Sequence, residues 1–238
     1  MINISQLYLG CEYQPLVDVQ TGDIFAYEAL SRFYNKNGIA IAPNLVFDQL
    51  HHHLPQLSQI EFAAKHLQLR NAPKRVPLFI NLDPHAINLT RMSHFIDLLS
   101  THPKVTVEII ENTCVNDAKR SLALATHLQD AKINVALDDI GASHAMLSLS
   151  LMTQVDCLKF DMSWLAKIAE SKQKSLLNAL VQFGQSSNKI SVLEGIECHE
   201  MLLTARQLGV DLVQGFLYRP QFITPPARLS LATLLAEK

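Results

Sequence analysis

The sequence predicts an α/β protein: a modified (β/α)8 TIM-type barrel with an antiparallel first strand. Short apolar, strand-like segments alternate with helical ones along the chain, the pattern of repeated β-α units. Nearly every strand-like segment carries an acid, amide or lysine at its C-terminal end, and barrels of this class assemble their sites from strand ends at one face. The first two segments, however, are joined by a tight turn at Thr21-Gly22-Asp23, too short for the crossover that parallel strands require. With 238 residues, close to the ~250 of a typical barrel, the chain is expected to be one domain over residues 1–238.

The bulk numbers narrow the function classes. Hydrophobic residues make up 48% and charged residues 18%, with a formal net charge of -2. That composition suits a chain with a sizeable core and carries no basic signal for a nucleic-acid polymer. No apolar run is long enough to span a bilayer, and Met1-Ile2-Asn3-Ile4-Ser5 lacks a basic flank followed by an apolar signal core. A cytoplasmic protein with no membrane partner is therefore expected. Cys11, Cys114, Cys157 and Cys198 are scattered with no C-x-x-C pair, which fits reduced, mostly buried thiols.

In chain order, Tyr13 to Val19 reads as a strand and Ile24 to Leu30 as its hairpin partner. Glu28 stands among apolar residues there, so it is either buried with a partner or faces a cavity. Arg32 follows as a substrate contact or a salt-bridge partner. Residues 44–70 read as two helices broken near Pro55. Within them, His51-His52-His53 point in three directions on a helix, so they cannot all bind one metal and are expected to form a solvated helix end. Val76 to Ile80 is a short buried strand ending in Asn81-Leu82-Asp83-Pro84. In Val105 to Glu111, the acids Glu108 and Glu111 fall on opposite sides of a regular strand, unless the strand ends near Ile109 and leaves Glu111 in the loop. Asp117 to Asp130 reads as a helix. Cys157 to Asp161 places Lys159 and Asp161 on one side, and a lysine in an apolar setting wants an anionic partner. Ser175 to Phe183 supplies a helix, Ile190 to Glu197 a strand with acids at its end, His199 to Leu208 a helix, and Val210 to Val213 a strand that ends in Gln214-Gly215.

The strand end Asn134 to Gly141 gathers these features. An apolar segment runs into Asp138 and Asp139 and then a glycine. Two adjacent carboxylates cost free energy unless cations pair them. Because neighbouring strand residues point to opposite sides, one aspartate reaches a pocket with the other only by bending around the strand end or by sharing a second cation. A pair of divalent ions satisfies both. A solvated Asp-Asp turn at a helix N-terminus, where the helix dipole favours carboxylates, satisfies the same residues.

Taken together, the strand ends resemble the EAL domain family of phosphodiesterases, which hydrolyse the bacterial second messenger cyclic di-GMP. The name-giving triplet stands as Glu28-Ala29-Leu30, followed in order by Asn81-Leu82, Glu108-Ile109-Ile110-Glu111, Asp138-Asp139, Leu158-Lys159-Phe160-Asp161, Glu194-Gly195-Ile196-Glu197 and Gln214-Gly215. A lone triplet carries no information; an ordered set of strand-end motifs over nearly the whole chain is specific. The resemblance implies a barrel with an antiparallel first strand and two Mg²⁺ or Mn²⁺ ions. It places Glu28, Asn81, Glu108 and Asp138 on one ion and Asp138 and Asp139 on the other, with Glu194 nearby. Hard oxygen ligands suit such ions, and a pair about 3.5–4 Å apart activates water and stabilises a phosphodiester's charge. It further implies catalytic roles for Lys159, Glu194, Gln214 and Glu28 and substrate contacts at Gln14, Arg32 and Asp161. Glu111 is implied as the anchor of the loop after the paired aspartates, and Glu197 as an acid behind the ligands. The motifs end near Arg219-Pro220, so a stand-alone domain is expected.

Where the family's loop reads F-G-T-G-Y-S-S or close to it, this chain has Ile140-Gly141-Ala142-Ser143-His144-Ala145-Met146. The second glycine, the aromatic and the paired serines are replaced. Losing a glycine restricts the backbone, which bears on loop closure more than on the ligands themselves. The resemblance thus implies hydrolysis of cyclic di-GMP to linear pGpG. The altered loop implies the alternative of a catalytically impaired cyclic di-GMP receptor or protein-interaction module, and a homodimer through helices beside that loop is a further expectation. The complete acid, amide and lysine set favours the enzyme.

Overall fold

The first two strands set the geometry of the ring. β1 (Tyr8–Asp18) and β2 (Ile24–Tyr34) pair antiparallel from Tyr8 opposite Tyr34 to Val17 opposite Ile24. Asp18 closes the turn between them: its Oδ1 accepts the backbone N–H groups of Gln20 and Thr21, both at 2.8 Å, the local bonding that makes aspartate a turn former. The computed structural model describes residues 2–87, 91–110, 115–143 and 146–236, with residues 110 and 115–117 described by backbone alone.

From β2 onward strands and helices alternate. A short β3 (Ala40–Ile41) lies on the edge of β2, followed by α1 (Pro43–Leu50), α2 (Leu54–Arg70), β4 (Leu78–Asn81), α3 (Met92–Leu99), β5 (Val105–Ile110), α4 (Val115–Asp130) and β6 (Asn134–Ile140). Then come α5 (Leu149–Gln154), β7 (Cys157–Phe160), α6 (Trp164–Lys167), α7 (Ser171–Ser186), β8 (Ile190–Leu193), α8 (His199–Leu208), β9 (Leu212–Val213), β10 (Leu229–Ser230) and α9 (Leu231–Ala236). The run β2-β4-β5-β6-β7-β8-β9 is parallel throughout. β1 closes it by pairing antiparallel with both β2 and β9. The expected barrel with one inverted strand is the observed one. The break between α1 and α2 falls at residues 51–53, with Pro55 in the first turn of α2, where a missing N–H costs nothing.

Two apolar layers hold the ring. The larger fills the space between strands and helices, with Phe33, Leu57, Phe95, Leu158 and Phe160 among its buried members. The smaller is the inside of the barrel: Leu16, Ala26, Phe79, Ala136, Cys157, Val192 and Leu212. Because strand side chains alternate with a period of two, two residues further along β2, β4, β6, β7, β8 and β9 bring Glu28, Asn81, Asp138, Lys159, Glu194 and Gln214 onto the same inner face. β5 supplies Glu108, and the inverted β1 supplies Gln14, opposite Glu28 in the hairpin. The apolar layer is therefore the floor on which the polar strand ends stand.

Cys11 and Cys157 are buried free thiols, Cys198 is a partly exposed one, and Cys114 lies outside the described residues. Among the described residues no helix is long and apolar enough to cross a membrane. Phe79 is the largest side chain of the inner layer, so Phe79→Ala is expected to cost ~3–5 kcal/mol. Urea denaturation should show a lowered midpoint with an unchanged slope.

Candidate functional site

The barrel mouth is organised around Lys159. Its side chain is completely buried on β7, and its Nζ lies 2.5 Å from Glu108 Oε1, 2.8 Å from Glu194 Oε1, 2.9 Å from Asp138 Oδ1 and 3.8 Å from Glu28 Oε2. Four carboxylates thus surround one ammonium. Each buried charge is costly unless compensated, and the single lysine leaves the cluster strongly anionic.

The ionisation of the groups reflects this imbalance. Burial, reinforced by repulsion from Glu28, pushes Glu108 well above the usual carboxylate range. Burial also raises Asp138, with Lys159 offsetting part of the effect. Asp139 is pushed up to about 7 by burial and by the neighbouring Asp138 charge. Glu194 rises to about 8, chiefly by burial. Glu28 goes the other way: burial favours its neutral form, but Lys159 and the hydrogen bonds from Gln214 and Asn81 hold it below the ordinary value. For Lys159, burial is outweighed by the surrounding acids, which hold its ammonium well above the ordinary lysine value.

A turn of backbone brings both aspartates to the same mouth. Asp139 adopts φ +57°, and the pairing of β6 with β7 shifts register between Leu137 and Ile140. The bulge and left-handed residue swing Asp139 round the strand end, so that Asp138 and Asp139 both line the cavity. Aspartate is among the few non-glycine residues that tolerate this conformation. Two residues on, Gly141 has φ +87°, and a Cβ there would sit 2.3 Å from the Trp164 indole nitrogen. Glycine is required because the indole donates to Ile140 O at 2.8 Å. Gly141 O in turn accepts from the Lys167 ammonium and from Ser163 Oγ. The first half of the altered loop is therefore tied to α6; residues 144 and 145 lie outside the described residues.

Two overlapping donor groups emerge. Glu28, Glu108 and Asp138 bring ligand oxygens within 4.8 Å of one another, and so do Asp138, Asp139 and Glu194. Asp138 belongs to both. These all-carboxylate sets suit hard divalent cations. Asn81 adjoins the first set, where its Nδ2 donates to Glu28 Oε1 at 2.7 Å and to Glu108 Oε2 at 2.9 Å. It would offer Oδ1 to a cation only after the amide turns over. Gln214 Nε2 donates to Glu28 Oε2 at 2.6 Å and reaches Gln14 Oε1 at 3.5 Å.

The remaining predicted residues are spread around this centre. Gln14, Asp161 and Glu197 line the same cavity of about 440 Å³, Glu197 from an exposed position. Asp161 Oδ1 accepts the Ser163 N–H at 2.9 Å. Arg32 is instead paired with Glu12 at 2.6 Å and lines a neighbouring cavity of about 380 Å³, which meets the first at Leu30 and Asn81. Glu111 lies outside the described residues. Sequence reading missed Phe216 and Met162, which line the mouth and are largely exposed. The aromatic directly after Gln214-Gly215 was the available signal for the first. A larger depression of about 530 Å³ opens at the opposite end of the barrel and contains none of these carboxylates.

A model of the EAL domain matches residues 3–221. The chain belongs to the EAL domain family. This EAL chain is 26% identical over 214 residues to the "Probable cyclic di-GMP phosphodiesterase PdeD" of Escherichia coli (strain K12), covering 86% of the chain and 40% of that protein. It is 22% identical over 227 residues to the "Cyclic di-GMP phosphodiesterase NbdA" of Pseudomonas aeruginosa, covering 88% of the chain and 28% of that protein. The chain thus spans less than half the length of these curated relatives. Among solved structures, an EAL domain protein from Listeria monocytogenes EGD-e superposes with a TM-score of 0.72 at 24% identity, covering 96% of the chain and 92% of its counterpart. The Klebsiella pneumoniae BlrP1 manganese/cy-diGMP complex gives 0.71 at 22%, covering 92% and 56%. These likenesses establish the shared barrel fold.

The raised acids have a consequence for metal-free protein. Asp139 and Glu194 hold protons in the folded chain that the unfolded chain releases near their ordinary values of 3.8 and 4.5. Their stabilising contribution is full below those values and is lost as pH rises through about 7 and about 8. In EDTA, the unfolding free energy from urea titrations should therefore decline between about pH 4 and 8, by at most ~1.4 kcal/mol per pH unit for each group. Asp139→Asn should flatten the decline, and an unchanged slope would count against this ionisation scheme.

Proposed function

We propose that this EAL domain is a divalent-metal-dependent phosphodiesterase that opens cyclic di-GMP to linear pGpG. The observation that carries the reading is the convergence of Glu28, Asn81, Glu108, Asp138, Lys159, Glu194 and Gln214 on one inner layer at the C-terminal end of the barrel. The phosphodiesterase names of relatives and the nucleotide in the BlrP1 complex support it.

Glu28, Asn81, Glu108 and Asp138 would hold one Mg²⁺ or Mn²⁺, and Asp138, Asp139 and Glu194 a second. Bound there, the ions would supply a water of lowered pKa and neutralise charge on the phosphodiester. The chain's own groups do the rest. Lys159 Nζ stays protonated among its carboxylates and offsets negative charge where the reacting phosphate would sit. Gln214 orients Glu28 through its amide hydrogens. Gln14 and Asp161 offer polar contacts to a base or ribose, and Arg32 would meet a phosphate oxygen by sharing its fork with Glu12. Phe216, 57% exposed at the rim, presents a flat face for a purine. Hydrolysis adds water across one P–O bond, leaving a phosphate on one nucleoside and a free hydroxyl on the other.

The replaced residues of the 140–146 loop favour a second reading, a cyclic di-GMP receptor or interaction module without turnover. Met146 at the end of that loop and Leu147 and Leu149 just after it, all exposed, are where a homodimer would form, and light scattering at several concentrations tests this. Purified protein given cyclic di-GMP with Mg²⁺ or Mn²⁺ is expected to release pGpG. Glu28→Gln and Asp138→Asn should each lower the rate at least ~100-fold, since a ligand matters no less than its supporting groups. Binding without product would establish the receptor reading, and a fully active Glu28→Gln would overturn the site assignment.

A further inference from the structure

The three consecutive histidines do not act as a unit. His51 is the C-cap of α1 and His53 the N-cap of α2, so the three span the break between two helices and share no helical face. All three are exposed, but His51 directs its ring to Asp83. The His51 Nε2 lies 2.7 Å from Asp83 Oδ2, and His85 Nδ1 lies 3.2 Å from Asp83 Oδ1. One carboxylate therefore stands between two imidazoles, one oxygen toward each, with ring centroids 5.4 Å apart. Ligand atoms of all three residues lie within 4.8 Å of one another.

Local structure holds this arrangement in place. Asp83 caps a 3-10 turn over Pro84–Ala86 and accepts the His85 N–H at 2.8 Å. Its own N–H donates to Glu61 Oε1 at 3.1 Å, and Glu61 is buried with Lys65 as its ion-pair partner at 3.3 Å. Pro84 fixes the backbone between the two ligand-bearing residues. The carboxylate is thus anchored from behind, while the imidazoles remain partly open to solvent.

We propose that His51, Asp83 and His85 form a second metal site, which takes a borderline divalent transition ion such as Zn²⁺. Two imidazole nitrogens and one carboxylate oxygen suit such ions, whereas the all-oxygen barrel mouth suits Mg²⁺ or Mn²⁺. Ligand atoms around one tetrahedral Zn²⁺, each at about 2.0–2.1 Å from it, stand roughly 3–3.5 Å apart. The observed spread closes to this by small side-chain rotations, with water completing the shell. Asp83 follows Asn81 by two residues and, with His51, lines the cavity that also holds Arg32. An ion here would pin the end of α1 to the loop that directly follows Asn81, a proposed ligand of the barrel mouth.

Equilibrium dialysis of the full chain against buffered Zn²⁺ at saturating Mg²⁺ tests this, with bound zinc measured by atomic spectroscopy. Zinc entering the barrel mouth contributes equally to each protein compared, so the difference between variants isolates the new site. Wild type and His52→Ala are expected to bind one Zn²⁺ more than His51→Ala or His85→Gln, whose affinity at this site should fall at least ~10-fold. Zinc should raise the Tm of wild type and His52→Ala more than that of His51→Ala. Because His51 is partly exposed, that variant carries the test even if His85→Gln folds poorly. Equal zinc uptake by wild type and His51→Ala would overturn the proposal, as would an equal loss in His52→Ala.

Discussion

The barrel mouth depends on one buried ammonium placed among more carboxylates than it can neutralise. Lys159 touches Glu108, Asp138 and Glu194 within 2.9 Å, and the low dielectric around it makes both attraction and residual repulsion large. An ordinary core would not keep such a cluster, because apolar replacements pack as well without the desolvation penalty. On the proposed reading the cluster is a container for cations. Burial and repulsion from neighbouring acids hold Glu108, Asp138 and Glu194 above the ordinary carboxylate range, so these groups carry protons that a cation would displace.

The apolar floor of the barrel and the bulge in β6 make the cluster possible. Leu16, Phe79, Ala136, Cys157, Val192 and Leu212 exclude water from below, while the period-two alternation lifts each polar strand end above them. Regular strand geometry would send Asp139 away from the mouth. The left-handed turn at Asp139, continued by Gly141 against Trp164, returns it. Among the described residues, the start of the altered loop is held by α6, where Trp164 and Lys167 donate to the carbonyls of Ile140 and Gly141.

Much of this was legible in the amino-acid sequence, for identifiable reasons. The hairpin showed in the Thr21-Gly22-Asp23 turn, and the barrel in strand ends that repeatedly exchange an apolar residue for an acid, amide or lysine. Those signals are local. The orientation of the Asn81 amide, the Arg32 ion pair with Glu12 and the left-handed Asp139 arise from neighbours distant in the chain or from backbone angles that residue type alone does not dictate. His51 shows the same limit: the sequence pattern reads all three histidines as a solvated helix end, because the partners of His51 lie more than thirty residues away in the loop after β4.

The most direct test of the central claim is the number of protons released when Mn²⁺ binds at pH 7, obtained by calorimetry in buffers of different ionisation enthalpy. If the carboxylates around Lys159 are built to exchange protons for cations, Mn²⁺ binding should release about one proton or more per chain, and Asp138→Asn should suppress both binding and release. Absence of binding, or binding with no proton release from the wild-type chain, would contradict the account.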